Sequence, residues 1–180
     1  MNGQTHLSIG LTVAYLAGCN TPAQYALVAV GSLLPDIDNA GSISRPLQNL
    51  LPRIIPRLGI VQTVDQATEL TGKLIRKIFG HRGFTHWPVL AGAVWLITAG
   101  TFPLSKFLAL GWLLHIYADA LTVNGAPLAA PVSLEKMRLL PKLIAFKTGG
   151  LMEDLLCWCM WGYLGAMFTR YILFVIGVTL

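Results

Sequence analysis

Apolar residues gather along this chain in blocks of helical length, and the polar residues between them fall at block ends rather than inside. The first block covers residues 5–19 and the second about 22–34, with Asn20-Thr21-Pro22 between them as a tight turn. Later blocks cover about 86–101 and 104–121, and a last one starts near Leu151, with an apolar tail after Arg170 that extends it or folds back. Thr5 is the expected N-cap of the first helix, because its hydroxyl can accept from an otherwise orphaned amide. Pro35 is expected to stop the second, since it has no N–H to donate and pushes Leu34 out of helical geometry. Residues 39–60, with Gly41, Pro46, Pro52 and Pro56, read as an irregular connection. From Val61 to Phe79 the apolar positions recur at helical spacing, with Lys73, Arg76 and Lys77 outward. That pattern predicts an amphipathic helix lying on a membrane surface. A Pro- and Gly-punctuated connection joins the fourth block to Gly150.

Two stretches echo one another at a fixed offset of 80 positions. Thr5-His6 matches Thr85-His86, Ala29 matches Ala109, and Gly31-x-Leu33-Leu34 matches Gly111-x-Leu113-Leu114. Blocks sharing one offset without gaps suggest a duplicated helical hairpin in parallel orientation. His6 and His86 would then hold equivalent places, and the Asp36/Asp38 end would correspond to the His115/Asp119 end.

Composition turns this helical pattern into a membrane expectation. The chain has 180 residues, 54% hydrophobic and only 12% charged, whereas soluble domains run at roughly 25% charged. The fold class expected is all-α: residues 1–180 as one multi-pass helical membrane bundle of about five apolar helices plus the interfacial one. A soluble, wholly buried bundle is the alternative, because the apolar stretches run to about 14–18 residues against the ~20 of a clean span. The net charge of +5 comes largely from Arg45, Arg53, Arg57, Lys73, Arg76, Lys77 and Arg82, and from Lys136, Arg138, Lys142 and Lys147. Alternating segments put both groups on one side, which the positive-inside bias makes cytoplasmic. Three cysteines imply no disulfide framework. Leu16-Ala17-Gly18-Cys19 imitates a lipoprotein processing box but lacks the basic n-region before it.

The candidate chemistry lies where those blocks begin and end, always at the same end. His6 opens the first, Asp36 and Asp38 close the second, and His81 and His86 open the third. His115 and Asp119 close the fourth, and Glu153 opens the fifth. An up-and-down bundle gathers all of these on one face, and imidazoles with carboxylates in an apolar bundle point to a bound metal. His115 and Asp119 stand at i and i+4, about 5–6 Å apart on one helix face, so both can reach one ion. An extended stretch after Pro35 would put Asp36 and Asp38 on the same side. His81 and His86 are wrongly spaced for one helical face, so a loop carrying His81 should enter a helix near His86, with Pro88 in its first turn. Arg82 could grip a phosphoryl or carboxylate oxygen, Lys147 could neutralise substrate charge, and Gly125-Ala126-Pro127 with Pro131 could form a rim. Each has a blander reading: topology for Arg82, a helix-end pair for His115 and Asp119, a solvated turn for Asp36 and Asp38, and helix-dipole stabilisation for Glu153 and Asp154.

At these residues the sequence resembles the bacterial membrane-bound metal-dependent hydrolases, a family that includes LexA-regulated inner-membrane proteins. The likeness runs through Thr5-His6, LLPDID at 33–38, GHRGFTH at 80–86, HIYAD at 115–119, the Gly125 region and Glu153. Family sequences often carry His where this chain has Asn39, which removes one ligand. A looser likeness links the His-x-x-x-Asp motif to zinc phospholipase C-type sites. The resemblance implies hydrolysis without fixing a substrate.

The expected activity is therefore hydrolysis of a phosphoester, with a lipid substrate favoured, by metal-activated water at the cytoplasmic membrane edge. His6, Asp36, Asp38, His81, His86, His115, Asp119 and Glu153 are the candidate ligands, enough for one or two ions. Zn²⁺ is preferred, with Mn²⁺ or Fe²⁺ as alternatives. Asp38 or Glu153 would bridge or act as base, and Arg82 and Lys147 would meet substrate charge. The partners expected are the inner membrane and a lipid or phosphorylated small molecule, with no nucleic acid. A metal or proton transporter, or a membrane protein stapled by its metal, would use the same cluster differently.

Overall fold

Residues 1–38 and 83–177 are described by the computed structural model, residues 37 and 38 by their backbone alone. The expected connection at 39–60 and the amphipathic helix at 61–79 lie outside the described residues, as do His81 and Arg82. Among the described residues the protein is all-helical, with α1 Gly3–Leu16, α2 Pro22–Leu33, α3 Pro88–Thr98, α4 Ser105–Ala120 and α5 Leu151–Val175. Two 3₁₀ turns, Leu34–Asp38 and Phe84–His86, precede and follow the undescribed stretch. Among the described residues, two isolated backbone bridges join Thr122 with Phe146 and Ala126 with Met137.

Local chemistry explains most of the boundaries. Thr21 opens α2 through a reciprocal capping box: its hydroxyl accepts from the Gln24 amide, the Gln24 side chain accepts from the Thr21 amide, and Pro22 occupies the first turn. Thr5 is not a cap. It lies buried inside α1, and the N-cap position belongs to Asn2, which makes no side-chain capping bond. Pro35 ends α2 near Leu34 as anticipated, but the chain continues as a 3₁₀ turn rather than a strand. With three residues per turn, positions i and i+2 no longer share a side, so the alternation invoked for Asp36 and Asp38 does not apply. His86 belongs to the 3₁₀ turn before α3, whose first turn holds Pro88 as expected.

Helix α4 is the centre of the bundle: it packs most extensively on α2 and also touches α1 and α3, while α5 lies against α1. The α2–α4 crossing is made by the duplicated glycines. A Cβ on Gly31 would stand 2.1 Å from the Leu108 carbonyl oxygen, and one on Gly111 would stand 2.2 Å from that of Val28. Val28 and Leu108 are themselves 80 positions apart, so each hairpin offers the other the same backbone surface. Ser32, near the end of α2, meets His115, near the end of α4, so the two helices run side by side in one direction. The repeats are thus related by a local two-fold along the helices.

The core is thin and rich in alanine: Ala91, Trp112, Ile116, Ala120 and Ala126 form one cluster, and Ala14, Cys19 and Val28 another. Ala126, expected at a rim, packs in the first of these clusters. Helix α5 buries only Glu153 and leaves Trp158 75% and Phe174 74% exposed.

Composition led to the expectation of a multi-pass arrangement. Among the described residues, no helix is both long and apolar enough to cross a membrane. The first four helices have 14, 12, 11 and 16 residues, so each is shorter than the ~30 Å hydrocarbon layer at about 1.5 Å per residue. The 25-residue α5 has the length, but Glu153, Asp154 and Arg170 interrupt it.

Candidate metal centre

The crossing of α2 and α4 brings the ends of both helices, and the starts of α1 and α3, to one buried spot. His6 arrives one turn into α1, Asp36 from the 3₁₀ turn after α2, and His86 from the turn before α3. His115 and Asp119 come from the last turns of α4. All five are buried.

Their polar atoms converge at similar spacings. His6 Nε2 lies 3.4 Å from Asp119 Oδ1, and His86 Nε2 lies 3.5 Å from Asp36 Oδ1 and 3.8 Å from Asp119 Oδ2. His115 Nε2 stands 3.7 Å from Asp36 Oδ1 and 4.0 Å from Asp119 Oδ2. The rings of His6 and His115 stack at 3.7 Å, with His86 edge-on to His115 at 5.2 Å. These separations exceed a good hydrogen bond. They approach the ~3.3 Å between two donors sharing one ion at about 2.0–2.1 Å from each.

Hydrogen bonding aims the imidazoles. His115 Nδ1 is 2.8 Å from the Ser32 carbonyl, and because a carbonyl only accepts, Nδ1 carries the proton. In neutral His115 the Nε2 lone pair is then left facing the cluster, the outer-shell arrangement usual for metal-binding histidines. His86 Nδ1 is 3.2 Å from the Thr85 hydroxyl. The Thr85 carbonyl accepts in turn from Trp112 Nε1 at 2.6 Å, which ties the turn carrying His86 to the helix carrying His115. The Nε2 atoms of His6, His86 and His115 are buried with no hydrogen-bond partner. Buried polar atoms seldom remain so, and three aimed at one point fit a cation.

Electrostatics agree with that fit. Burial, reinforced by neighbouring His6, holds His115 well below the ordinary histidine range, so it is a neutral donor near pH 7. Burial alone would raise Asp36, but the close approach of His86 and the positive potential of His115 and His6 bring it well below the usual carboxylate range. Asp119 behaves likewise: burial is outweighed by the close approach of His6, by the other imidazoles and by the N-terminal ammonium, which contacts Oδ1. Two ionised, buried carboxylates among imidazoles make a place for positive charge.

The other sequence candidates fall elsewhere. Glu153 is fully buried, but its Oε1 accepts from the Asn2 amide and its Oε2 from the Gly149 amide at 2.8 Å. It fastens the N-terminal segment and the approach to α5, and it is in neither group of converging donors. Asp154 and Lys147 are exposed. The side chain of Asp38, like His81 and Arg82, lies outside the described residues. Sequence reading missed the positioning groups: the Ser32 carbonyl carries no side-chain signal, and Trp112 looks like ordinary core. Thr85 is marked by its match to Thr5, but the match assigns it no role.

Comparison with known proteins places this arrangement in a lineage. The family model described as YdjM inner membrane protein matches residues 1–179. The chain belongs to that family. Relatives of this YdjM-family chain include the uncharacterized protein YvsG of Bacillus subtilis (strain 168), 31% identical over 162 residues, 86% of each chain. Inner membrane protein YdjM of Escherichia coli (strain K12) is 30% identical over 145 residues, covering 72% of this chain. The same figures hold for inner membrane protein YdjM of Shigella flexneri. The aligned region spans 61% of those two YdjM proteins. No solved structure matches the chain.

Proposed function

We propose that this YdjM-family protein is a metal-dependent hydrolase of the inner membrane that acts on a phosphoester, with a lipid headgroup as the favoured substrate. The observation that carries the reading is the convergence of three buried imidazole Nε2 atoms on two ionised carboxylates. His6, Asp36, His86, His115 and Asp119 would hold the ion. A divalent cation so held supplies Lewis acidity, lowering the pKa of water and polarising a phosphoryl oxygen. The chain's own residues do the rest. The Ser32 carbonyl keeps His115 in its donor tautomer, and Trp112 holds the His86 turn in register. Asp38 would accept the proton released by the attacking water, since both Glu153 oxygens are engaged by amides. Arg82 would offset phosphoryl charge as it develops, and the basic connections would hold the protein to anionic lipid on the cytoplasmic side.

The test is hydrolysis of a panel of phospholipids and small phosphoesters by the full chain in detergent, before and after metal removal, beside His115→Gln and Asp119→Asn. Metal-dependent turnover that falls at least about 100-fold in both variants, with helical circular dichroism retained, is the expected result. A metal-loaded protein that cleaves nothing on the panel, and that unfolds when the metal is stripped, would indicate a structural ion instead.

A further inference from the structure

We infer that the cluster is a single-ion centre astride the internal two-fold, with each hairpin's histidine crossed onto the other hairpin's aspartate and five protein donors around one cation. The inference rests on the metal reading above and specifies the number of ions and their donors. Among the described residues two groups of converging donors are present, His6 with His115 and Asp119, and Asp36 with His86 and His115, each with its ligand atoms within 4.8 Å of one another. Two ions would need both groups to be complete, and both contain His115. Its Nδ1 is committed to the Ser32 carbonyl, and Nε2 has one lone pair, which binds one ion. The groups are also not separate: His86 of the second lies 3.8 Å from Asp119 of the first.

The duplication shows why the count stops at one. His6 of the first hairpin pairs with Asp119 of the second at 3.4 Å, and His86 of the second pairs with Asp36 of the first at 3.5 Å. The histidines hold equivalent places in the two repeats, but their aspartates do not, since the position 80 residues after Asp36 is Ile116. The third imidazole breaks the symmetry. The position 80 residues before His115 is Pro35, which has no donor side chain, and the position 80 before Asp119 is Asn39. At those two positions the first repeat therefore offers neither an imidazole nor a carboxylate. Five donors also exceed the four that zinc usually takes. They suit a cation that accepts five or six nitrogen and oxygen ligands, such as Mn²⁺ or Fe²⁺, with about one position left for water or substrate.

Cobalt(II) added to the demetallated full chain is the probe, with bound cobalt per chain measured after gel filtration and the visible spectrum recorded. One cobalt per chain, with the weak visible bands of a five- or six-coordinate ion, is expected. His6→Gln and His86→Gln, checked for retained helicity, should each weaken binding of that same ion by about tenfold or more. Saturation at two cobalts, or a His6→Gln protein that keeps one tightly held cobalt of an original two, would overturn the single-ion centre while leaving the metal reading intact. Intense tetrahedral bands would overturn the five-donor count. No cobalt bound by the native chain would remove the metal reading and this inference together.

Discussion

His115 makes the most demanding contribution of any side chain, because it must be neutral, correctly tautomerised and aimed. Burial and its neighbour His6 keep its pKa below the ordinary 6.5, so the folded state takes up this proton only at a lower pH than the unfolded chain does. Its stabilising contribution is present above 6.5 and lost as pH falls through the folded value. Asp36 and Asp119 are depressed from the ordinary 3.8, so their contribution is present above 3.8 and lost as pH falls further. The metal-free protein should therefore hold a constant melting temperature above about pH 7, weaken below about 6.5 and weaken again below about 4. A melting temperature that rises between pH 7 and pH 5 would contradict this. Trp112→Phe tests the positioning of His86. It leaves the Thr85 carbonyl without its indole donor, so about 1–3 kcal/mol of stability should be lost in denaturant unfolding. Metal affinity should fall with it.

Between elements, the α2–α4 crossing decides everything downstream, and it depends on two missing side chains. Gly31→Ala or Gly111→Ala would drive a methyl group into a carbonyl oxygen of the facing helix. Backbone cannot yield as a flexible side chain can, so each should cost about 1–3 kcal/mol or more and loosen the metal site as the helices part. Gly162 in α5 is the control, since a Cβ there meets nothing within 4 Å. Gly162→Ala should leave stability unchanged or raise it by up to about 1 kcal/mol through helix propensity alone. Denaturant midpoints for the three variants provide the comparison, and equal destabilisation of all three would refute the close-crossing account.

For the molecule as a whole, a core this thin would make a bound ion a principal stabiliser. Binding to the folded state alone adds about 2.7 kcal/mol at a hundredfold excess over Kd. Chelation should therefore lower the melting temperature substantially and reversibly, and an unchanged melting curve after verified metal removal would count against the centre. The chain belongs to an inner membrane protein family and exposes aromatic residues along α5, and none of its described helices is long and apolar enough to cross a membrane.

How far the sequence could be read depends on whether the physics is local. Helix positions were legible because apolar blocks, Thr21-Pro22 and Pro35 act within a few residues of themselves. The polar residues at one common end of those blocks pointed to His6, Asp36, His86, His115 and Asp119 before any fold was known, and the 80-residue echo anticipated the Gly31–Gly111 symmetry. Other features required three dimensions. Glu153 has the right residue type at the right end, but two amides claim it. Low charge content suggested membrane crossing, a conclusion that also needs helix length. The proton of His115 is placed by a backbone carbonyl 83 positions away. The sequence by itself determined which chemical groups were available and at which end of each helix they stood. Only the tertiary structure decided which of them share a point in space, because ligation depends on distances of a few ångströms between segments that no local pattern connects.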